Sequence, residues 1–389
     1  MKSKSKLAVK SIQKIGTPVY LYDLSGFEER VNFFKKKMPS NGVAFFAMKA
    51  NNHEKILKVI RHAGFGVDVV SLGELRRALS VGFKPRQIVF SGVGKTKEEI
   101  QSAIKLRINQ INVESLPELE RISEVAEKLK IKTRVALRVN PDIEVRTHRY
   151  IQTGFRENKF GLEFSSMPAV LAIIQKTRWL RLQGLTLHIG SQITEIEPFI
   201  LSFRKTLKLY KDLKNKGHQL TTFDVGGGLG IDYTHGDLHA DEKRIADYMK
   251  VVKKEISSSV KRIYFEPGRI LVARFGALFT EVQYVKRTSH KNFLIVDTGM
   301  HQLLRPALYE AYHRIEPMVD FQPYSNLKTG RFDVVGPLCE SSDILGLDRE
   351  LPISLKAGDI LKICDVGAYG AVMSNRYNLR PPVREVCAK

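Results

Sequence analysis

The chain has 389 residues, of which 43% are hydrophobic and 27% charged, and its formal net charge is +22. This length exceeds the usual size of one domain, so we expect two domains with a sizeable core. No apolar run approaches the roughly 18 residues of a membrane span, which predicts a cytoplasmic protein that does not associate with membranes.

The three cysteines, Cys339, Cys364 and Cys387, lack the paired spacing of a zinc site or a disulfide framework, and we expect no metal. The positive charge is compatible with nonspecific binding to nucleic acid or anionic membranes. No recognition motif accompanies it, and lysines such as those between Lys205 and Lys216 have the spacing of solvated helix faces. We therefore interpret the charge as a solvated surface that can attract an acidic substrate, and expect no specific nucleic-acid partner.

The N-terminal run TPVYLYD predicts a strand that precedes a repeating pattern. Eight short apolar or β-branched runs follow, each succeeded by a helical pattern, which is typical of parallel βα units. These runs end at Lys49, Ser71, Gly92, Ser115, Asn140, Ser191, Gly228 and Gly268. One intervening helix is predicted over 116–129, where Ser115 is the N-cap residue and Glu118 completes a capping box.

Eight βα units in succession predict an α/β protein with a (β/α)₈ TIM barrel over residues 24–272. From about Ala273 the pattern changes to strands and turns without regular helices, as in AGDILKICDVGAYGAV. This change predicts a second, mostly β domain. The TPVYLYD strand would belong to it, so the domain comprises residues 1–23 and 273–389.

Barrel enzymes carry their active sites at the C-terminal ends of the strands. Here the strand ends supply Lys49, Asp68, Ser71, Asn140, His188, Ser191, Gly226 to Gly228, Glu266 and Arg269. Lys49 closes an apolar run, so its amine is expected to be partly desolvated and nucleophilic, as a Schiff-base lysine must be. The alternative is an ordinary surface charge at a strand end.

A glycine-rich run, Gly226 to Gly228 followed by Leu229 and Gly230, comes directly after a strand. Its backbone N–H groups could approach a phosphate closely, or the run could be no more than a tight turn. It lacks the GxGxxG spacing of dinucleotide sites and the Walker lysine. With Gly268 and Arg269 it lies after strands seven and eight, where barrels often bind phosphate.

Two further strand-end residues have both a structural and a functional interpretation. Glu266 could be a structural carboxylate paired with a basic neighbour, or it could keep the pyridine nitrogen of a cofactor protonated. His188 could be a hydrogen-bonded core histidine, or its imidazole could cover one face of a planar ring. The residues alone leave both alternatives open.

Seven motifs in order, FAMKANN, GFGVDVVSLGEL, LHIGSQI, DVGGGLG, FEPGR, CESSDILG and DVGAYG, resemble those of the pyridoxal-phosphate decarboxylases of the alanine-racemase-like fold. The resemblance covers nearly the whole chain. Within this fold it is greatest to the diaminopimelate decarboxylases, which convert meso-diaminopimelate into L-lysine and CO₂. The stretches Thr147 to Gly161 and Leu303 to Tyr309, together with the CES run, favour that family.

The resemblance implies a pyridoxal 5′-phosphate cofactor bound by the barrel. Lys49 would form the Schiff base, Glu266 would contact the pyridine nitrogen and His188 would stack on the ring. The phosphate region would be held by Ser191, Gly228, Gly268 and Arg269, and the remaining implied cofactor contacts are Asp68 and Tyr369.

The substrate residues implied by the resemblance are Arg269, Arg305, Tyr309, Glu340 and Tyr369. Arg305 and Glu340 could read the distal carboxylate and ammonium of a second amino-acid head through charge-assisted hydrogen bonds.

Cys339 matches the family's proton donor; without the CES motif it would be interpreted as a small buried apolar side chain. In the family the cysteine and tyrosine segments reach into the neighbouring subunit's barrel. The resemblance therefore implies a homodimer with shared active sites.

The sequence departs from the family pattern at His301 and Gln302, where Asn and Asp are more common, and at Ser342, where Gly is common. None of these positions replaces a catalytic residue. Because His301 and Gln302 precede Arg305, they bear on substrate preference.

The nearest alternative is a decarboxylase of the same fold that acts on ornithine, arginine or carboxynorspermidine. A racemase would need a second base, for which no motif is present. A catalytically inactive cofactor-binding paralogue would be expected to have lost Lys49 or Cys339, and both are intact.

Overall fold

The computed structural model of the chain describes residues 12, 14–143, 159–319, 322–323 and 327–388. Their contacts divide the chain into two compact units. The barrel unit comprises Val31–Ile231 and His239–Gly268, and the β-rich unit comprises the N-terminal residues to Arg30, Asp232–Leu238 and Arg269–Lys389. The domain boundaries expected after residues 23 and 272 remain a prediction.

Eight parallel strands close the barrel of the first unit in sequence order. They are β2 (Gly42–Ala47), β3 (Gly66–Val69), β4 (Ile88–Phe90), β5 (Gln110–Val113), β6 (Thr133–Arg138), β7 (Leu180–Thr186), β8 (Thr222–Asp224) and β9 (Arg262–Phe265). The barrel closes where β9 pairs with β2. The predicted eight-stranded barrel is confirmed. Seven strands lie within predicted runs, and β7 begins at Leu180, two residues before the run that ends at Ser191.

Within the described ranges, one α-helix lies between each pair of consecutive barrel strands, which is the connection that parallel neighbours require. The helices described along the chain are α1 (Leu24–Lys37), α2 (Glu54–His62), α3 (Leu72–Val81), α4 (Lys97–Leu106), α5 (Leu116–Leu129), α6 (Met167–Lys176), α7 (Glu197–Asn215), α8 (Leu238–Glu255), α9 (Arg269–Val272) and α10 (Arg305–Tyr309). None of the helices within the described ranges is long and apolar enough to cross a membrane.

The predicted helix over 116–129 is α5, and Ser115 is its N-cap residue: Ser115 Oγ accepts a hydrogen bond from Glu118 N at 3.3 Å. The predicted reciprocal half of the capping box is wrong. The Glu118 carboxylate accepts from Glu114 N at 2.7 Å and from Lys95 Nζ at 2.7 Å. Lys95 and the backbone N–H of Glu114 therefore donate to the carboxylate in place of the Ser115 N–H, which a capping box would require.

A chain of hydrogen-bonded polar side chains lies in the interior of the barrel. Gln183 Nε2 donates to Gln110 Oε1 at 3.0 Å, and Thr222 Oγ1 donates to the same oxygen at 3.3 Å. Gln110 Nε2 in turn donates to Asn112 Oδ1 at 2.7 Å. Gln110 and Asn112 are two residues apart on β5 and therefore point to the same side of the strand.

The β-rich unit contains one sheet formed by nine described strands. They are β1 (Val19–Asp23), β10 (Gly276–Arg287), β11 (Asn292–Val296), β12 (Ile315–Val319), β13 (Gln322–Pro323), β14 (Thr329–Val335), β15 (Ile344–Pro352), β16 (Ile360–Ile363) and β17 (Arg384–Ala388). Their order is β13-β12-β16-β10-β11-β14-β15, and β1 pairs with both β10 and β17. The predicted second, mostly β architecture is confirmed.

The long strand β10 organises this sheet because it pairs with β1, β11 and β16. The TPVYLYD strand lies antiparallel to it, with Val19 opposite Phe279. Val19, Phe279 and Ile12 form one buried apolar cluster. The N-terminal strand therefore belongs to the second architecture, as its position before the βα pattern predicts.

Candidate active site

Lys49 lies in a single 3₁₀ turn, Met48–Ala50, that directly follows β2. Its Nζ is 3.2 Å from Asp68 Oδ2; the Lys49 side chain is 38% exposed, whereas that of Asp68 is fully buried. The pairing of β2 with β3 places Ala47 opposite Asp68. Lys49, two residues after Ala47, therefore lies at the same rim of the barrel as Asp68. Lys49 is therefore paired with a buried carboxylate at the end of an apolar strand, and it is not an isolated surface lysine.

Lys49, His188 and Glu266 line one cavity of about 300 Å³ in the barrel unit, at the lower end of the range for small-molecule sites. Three of the residues predicted from their positions at strand ends therefore lie in one cavity. Other polar groups in the lining are Ser91, Asn112, Arg138, Lys159 and Thr186.

Glu266 follows β9, and its Oε1 accepts a hydrogen bond from Asn112 Nδ2 at 3.2 Å. Burial, followed by the negative charges of Asp224 and Asp68, holds the pKa of Glu266 well above its usual range. Burial likewise raises the pKa of Asp224 to about 7. The cavity thus contains a buried carboxyl whose protonated form is favoured over its usual behaviour.

His188 follows β7, and its Nδ1 lies 3.3 Å from Gly227 N. Because a backbone N–H can only donate, Nδ1 is the acceptor and carries no proton. Burial, reinforced by the positive charges of Arg138 and Lys49, holds the pKa of His188 well below its usual range. The imidazole is therefore neutral, and it is suited to packing against a flat ring.

The glycine run after β8 requires glycine for steric reasons. Gly226 has a φ of +67° and Gly228 a φ of +104°. A Cβ on Gly226 would lie 2.1 Å from Leu187 O, and one on Gly228 would lie 2.5 Å from Gly190 O. Ile193 N donates to Gly228 O at 2.9 Å, which joins this run to the loop that carries half-buried Ser191. The two predicted phosphate-binding loops are thus held side by side.

The other predicted strand-end residues of this unit have mainly structural contacts. A Cβ on Gly268 would lie 3.1 Å from Ala50 Cβ and 3.2 Å from Ala47 Cβ, so Gly268 permits close packing against the Lys49 turn. Ser71 caps α3, with Ser71 Oγ accepting from Glu74 N at 3.1 Å. Asn140 Oδ1 accepts from Asp142 N at 2.9 Å.

In the β-rich unit, Arg269 forms the first residue of α9 and is buried. Its Nη1 donates to Tyr233 OH at 2.7 Å, and its guanidinium lies 4.7 Å from the centre of the Tyr369 ring. Tyr369 itself has a φ of +56°. The predicted pair Arg269 and Tyr369 is therefore in contact.

Arg305 begins α10 and Tyr309 ends it, with the arginine buried and the tyrosine half buried. The Arg305 guanidinium lies 4.6 Å from the centre of the Tyr233 ring, and its Nη1 is 2.7 Å from His313 Nε2. Two predicted substrate arginines, Arg269 and Arg305, thus pack against the same tyrosine.

Cys339 and Glu340 are both exposed in the single chain, so the alternative of a small buried side chain for Cys339 does not hold there. Tyr377 OH donates a hydrogen bond to Glu340 Oε1. Cys364, by contrast, is buried, and burial raises the pKa of its thiol to about 12. Of these two thiols, only Cys339 is accessible for chemistry.

The positions that depart from the family pattern lie in the β-rich unit. His301 and Gln302 are both buried, and Gln302 Oε1 accepts from Thr298 Oγ1 at 2.7 Å while its carbonyl oxygen accepts from Tyr20 OH at 2.8 Å. Ser342 is exposed. The 147–161 stretch lies outside the described residues except for 159–161.

Sequence reasoning missed several residues that build these clusters, among them Asn112, Asp224 and His313. A signal was present for Asn112, because Gln110, Asn112 and Glu114 alternate along an otherwise apolar run and so share one face. Glu114 Oε1 accepts from Arg138 Nη1 at 2.7 Å. Polar residues at every second position of a buried strand indicate a polar interior.

The family described as "Pyridoxal-dependent decarboxylase, pyridoxal binding domain" matches residues 24–273 of the chain. A diaminopimelate decarboxylase from Vibrio cholerae is 41% identical over 375 residues, which cover 95% of this chain and 87% of the relative. One from Pseudomonas aeruginosa is 40% identical over 377 residues, covering 96% and 88%.

Among solved structures, diaminopimelate decarboxylase from Helicobacter pylori complexed with L-lysine has a TM-score of 0.91 and 39% identity, and the match covers 98% of this chain and 93% of that one. These matches agree with the barrel and the second β architecture. The chain therefore belongs to the diaminopimelate decarboxylase family of pyridoxal-dependent decarboxylases.

Proposed function

We propose that the chain uses pyridoxal 5′-phosphate to decarboxylate meso-2,6-diaminopimelate to L-lysine and CO₂, the last step of lysine biosynthesis. The observation that carries the proposal is the cavity that Lys49 shares with Glu266 and His188. Its support from outside the chain is the series of relatives near 40% identity that carry this activity in their names.

The residues of the barrel unit fit this cofactor. The cavity offers one partly exposed amine, a neutral imidazole and a buried carboxyl, and Asp68 Oδ1 is buried without a hydrogen-bond partner among the described residues. When bound, pyridoxal phosphate supplies a ring that accepts the electron pair left on the substrate's α-carbon as CO₂ departs. Lys49 would hold the cofactor covalently through its Nζ.

The other barrel residues hold the cofactor in place. Glu266 keeps a proton at the ring nitrogen, because its ionised form, which burial disfavours, is stabilised when a cationic group lies beside it. His188 packs on the ring face, and Asp68 stays beside the Lys49 amine. Ser191 and Gly228 contribute to phosphate binding from the two joined loops.

Gly268 lets the backbone come close to the phosphate, and we assign Arg269 to both phosphate and substrate, with Tyr369 beside it. Arg305 and Tyr309 bind the distal carboxylate of the substrate. The support for Arg305 is electrostatic: it is buried and forms no ion pair with any carboxylate of the described residues, so an anionic ligand would satisfy it.

Glu340 binds the distal ammonium, and Cys339 donates a proton from Sγ to the carbon that has lost CO₂. Both side chains are exposed in the single chain, which suits residues that complete the site of a second subunit. We therefore propose a homodimer with shared active sites.

We also propose a cytoplasmic location. The chain has only three cysteines, without the paired spacing of a disulfide framework, as is typical of proteins from reducing compartments.

A substrate panel tests the proposed activity. Purified protein loaded with pyridoxal phosphate is assayed for CO₂ release from meso-diaminopimelate, ornithine, arginine and carboxynorspermidine. The proposal expects meso-diaminopimelate to have the highest kcat/KM, with L-lysine formed in equal amount to CO₂. Faster turnover of ornithine or arginine would replace the proposed substrate, and CO₂ release from none of them would refute the proposed activity.

A further inference from the structure

Arg305 is held in an unusual way for a buried cation. It is 5% exposed, yet among the described residues no Asp or Glu forms an ion pair with it. Its Nε is buried and has no hydrogen-bond partner within the same part of the chain. Buried charges are normally paired, so the contacts that replace a carboxylate here need an explanation.

The contact that replaces it is His313, whose side chain is fully buried. His313 Nδ1 lies 2.9 Å from the carbonyl oxygen of Cys364, and His313 Nε2 lies 2.7 Å from Arg305 Nη1. A carbonyl only accepts, so Nδ1 carries the imidazole proton and Nε2 presents a lone pair to the guanidinium. The Cys364 carbonyl thus fixes the tautomer of His313. The backbone of Cys364 is itself held in place, because its N–H donates to Arg314 O at 2.9 Å.

The protonation state of His313 follows from the same geometry. Burial first, and then the positive charge of Arg305, hold the pKa of His313 well below its usual range. The ring also packs edge-to-face on Tyr233 at 5.1 Å between centroids. His313 is therefore a neutral acceptor held rigidly on two sides.

A neutral acceptor orients the guanidinium without cancelling its charge. A carboxylate in the same place would orient Arg305 equally well and would remove most of its attraction for another anion. Tyr233 adds a ring face 4.6 Å from Arg305, which stabilises the cation and likewise leaves its charge uncompensated.

We propose that His313 is a positioning residue that holds Arg305 oriented and uncompensated so that it can bind the distal carboxylate of an amino-acid substrate. The inference rests on the proposed function and adds to it a residue that determines specificity. His313 acts through Arg305, so its effect falls on substrate binding more than on the chemical step.

Three substitutions separate positioning from simple packing. His313→Gln keeps a neutral acceptor, His313→Leu removes the acceptor, and His313→Glu keeps an acceptor but adds a negative charge. His290→Glu, at an exposed position of the same unit, is the matched control for the added charge. Each variant is loaded with pyridoxal phosphate and checked for cofactor absorbance and melting temperature before kinetics.

We expect the KM for meso-diaminopimelate to rise about tenfold or more in His313→Leu and His313→Glu, with kcat within about threefold of wild type. His313→Gln and His290→Glu should stay within about threefold of wild type in both constants. Inhibition by L-lysine, which keeps the distal amino-acid head, should weaken in step with KM. Inhibition by 1,5-diaminopentane, which has no carboxylate, should not change.

The outcomes are distinguishable. Wild-type protein that does not turn over meso-diaminopimelate would refute the proposed function and this inference with it. Active wild type with an unchanged KM in a folded His313→Glu variant, or equal weakening of L-lysine and 1,5-diaminopentane, would overturn the inference alone. If His313→Glu does not fold, the comparison of His313→Leu with His313→Gln decides, because KM for the Leu variant must exceed that for the Gln variant at least about threefold.

Discussion

Asn112 Nδ2 donates one hydrogen bond to Glu266 Oε1 at 3.2 Å and another to Ser91 Oγ at 2.9 Å. The amide is itself fixed, because Asn112 Oδ1 accepts from Gln110 Nε2 at 2.7 Å. The orientation of the Glu266 carboxyl is thus determined by a chain of amides in the barrel interior. This chain connects the core of the fold to the group proposed to face the cofactor ring.

The first prediction concerns Glu266→Gln. An amide cannot hold a proton at the ring nitrogen, so kcat should fall by about 10²–10⁴-fold while the cofactor still binds. The measurement is steady-state L-lysine formation alongside cofactor absorbance. Glu29→Gln, on an exposed position of α1, is the control and should behave as wild type. A Glu266→Gln enzyme with near-normal kcat would exclude this role for Glu266.

The second prediction concerns pH and the cofactor-free protein. The pKa of Asp224 rises from 3.8 to about 7 on folding, so the folded state binds a proton that the unfolded state releases. This contribution to stability is fully present below about pH 4 and is lost as the pH rises through 7. Asn at position 224 cannot titrate. The free energy of unfolding of Asp224→Asn, relative to that of wild type, should therefore rise by a few kcal/mol between pH 5 and pH 8.

Urea unfolding of both proteins at each pH measures this difference. Glu266 remains in both proteins, but the Asp224 charge also raises its pKa, so the difference between the two curves reports the interacting pair. Parallel stability curves for wild type and Asp224→Asn would show that Asp224 is not protonated in the folded state.

The third prediction compares two glycines with positive φ. Gly226→Ala should destabilise the barrel by about 3 kcal/mol or more, because its Cβ would meet Leu187 O at 2.1 Å in addition to the left-handed strain. Gly217 has a φ of +90° with nothing within 4 Å of the added Cβ. Gly217→Ala should therefore show only the strain, about 1–2 kcal/mol. Equal losses in melting experiments would mean that the close approach to Leu187 relaxes freely.

The fourth prediction tests the proposed shared site. Lys49→Ala and Cys339→Ala should each be inactive as homodimers. After subunit exchange, about half of the dimers are mixed and each has one intact site, so about a quarter of wild-type activity should return. Exchange is verified with subunits of different tag mass. Demonstrated exchange without any recovered activity would place Lys49 and Cys339 in the same subunit's site.

The barrel could be predicted from the sequence because each buried strand is a short apolar run, and the rim residues could be found because parallel strands end at one edge. Lys49, His188 and Glu266 were located in this way. Asn112 and Asp224 could not be found in this way, because their proximity to Glu266 depends on the register in which the barrel strands pair. Only the closed barrel brings β5 and β8 side chains to Glu266, which follows β9.

Long-range partners explain the other differences. The Glu118 carboxylate was expected at its own helix cap, yet a buried Lys95, 23 residues away, competes for it. His313 is connected to Cys364 across 51 residues. Local patterns indicate caps and strands well, but they do not identify the tertiary partner that takes over a polar side chain.

The identity of the lysine that carries the cofactor tests the account most directly. The holoenzyme is reduced with borohydride, digested and mapped by mass spectrometry, and Lys49→Ala serves as the control. The account predicts the reduced cofactor on the peptide that contains Lys49, and none on the control. A label on Lys159, which also lines the cavity, or on any other lysine in the wild-type protein would contradict it.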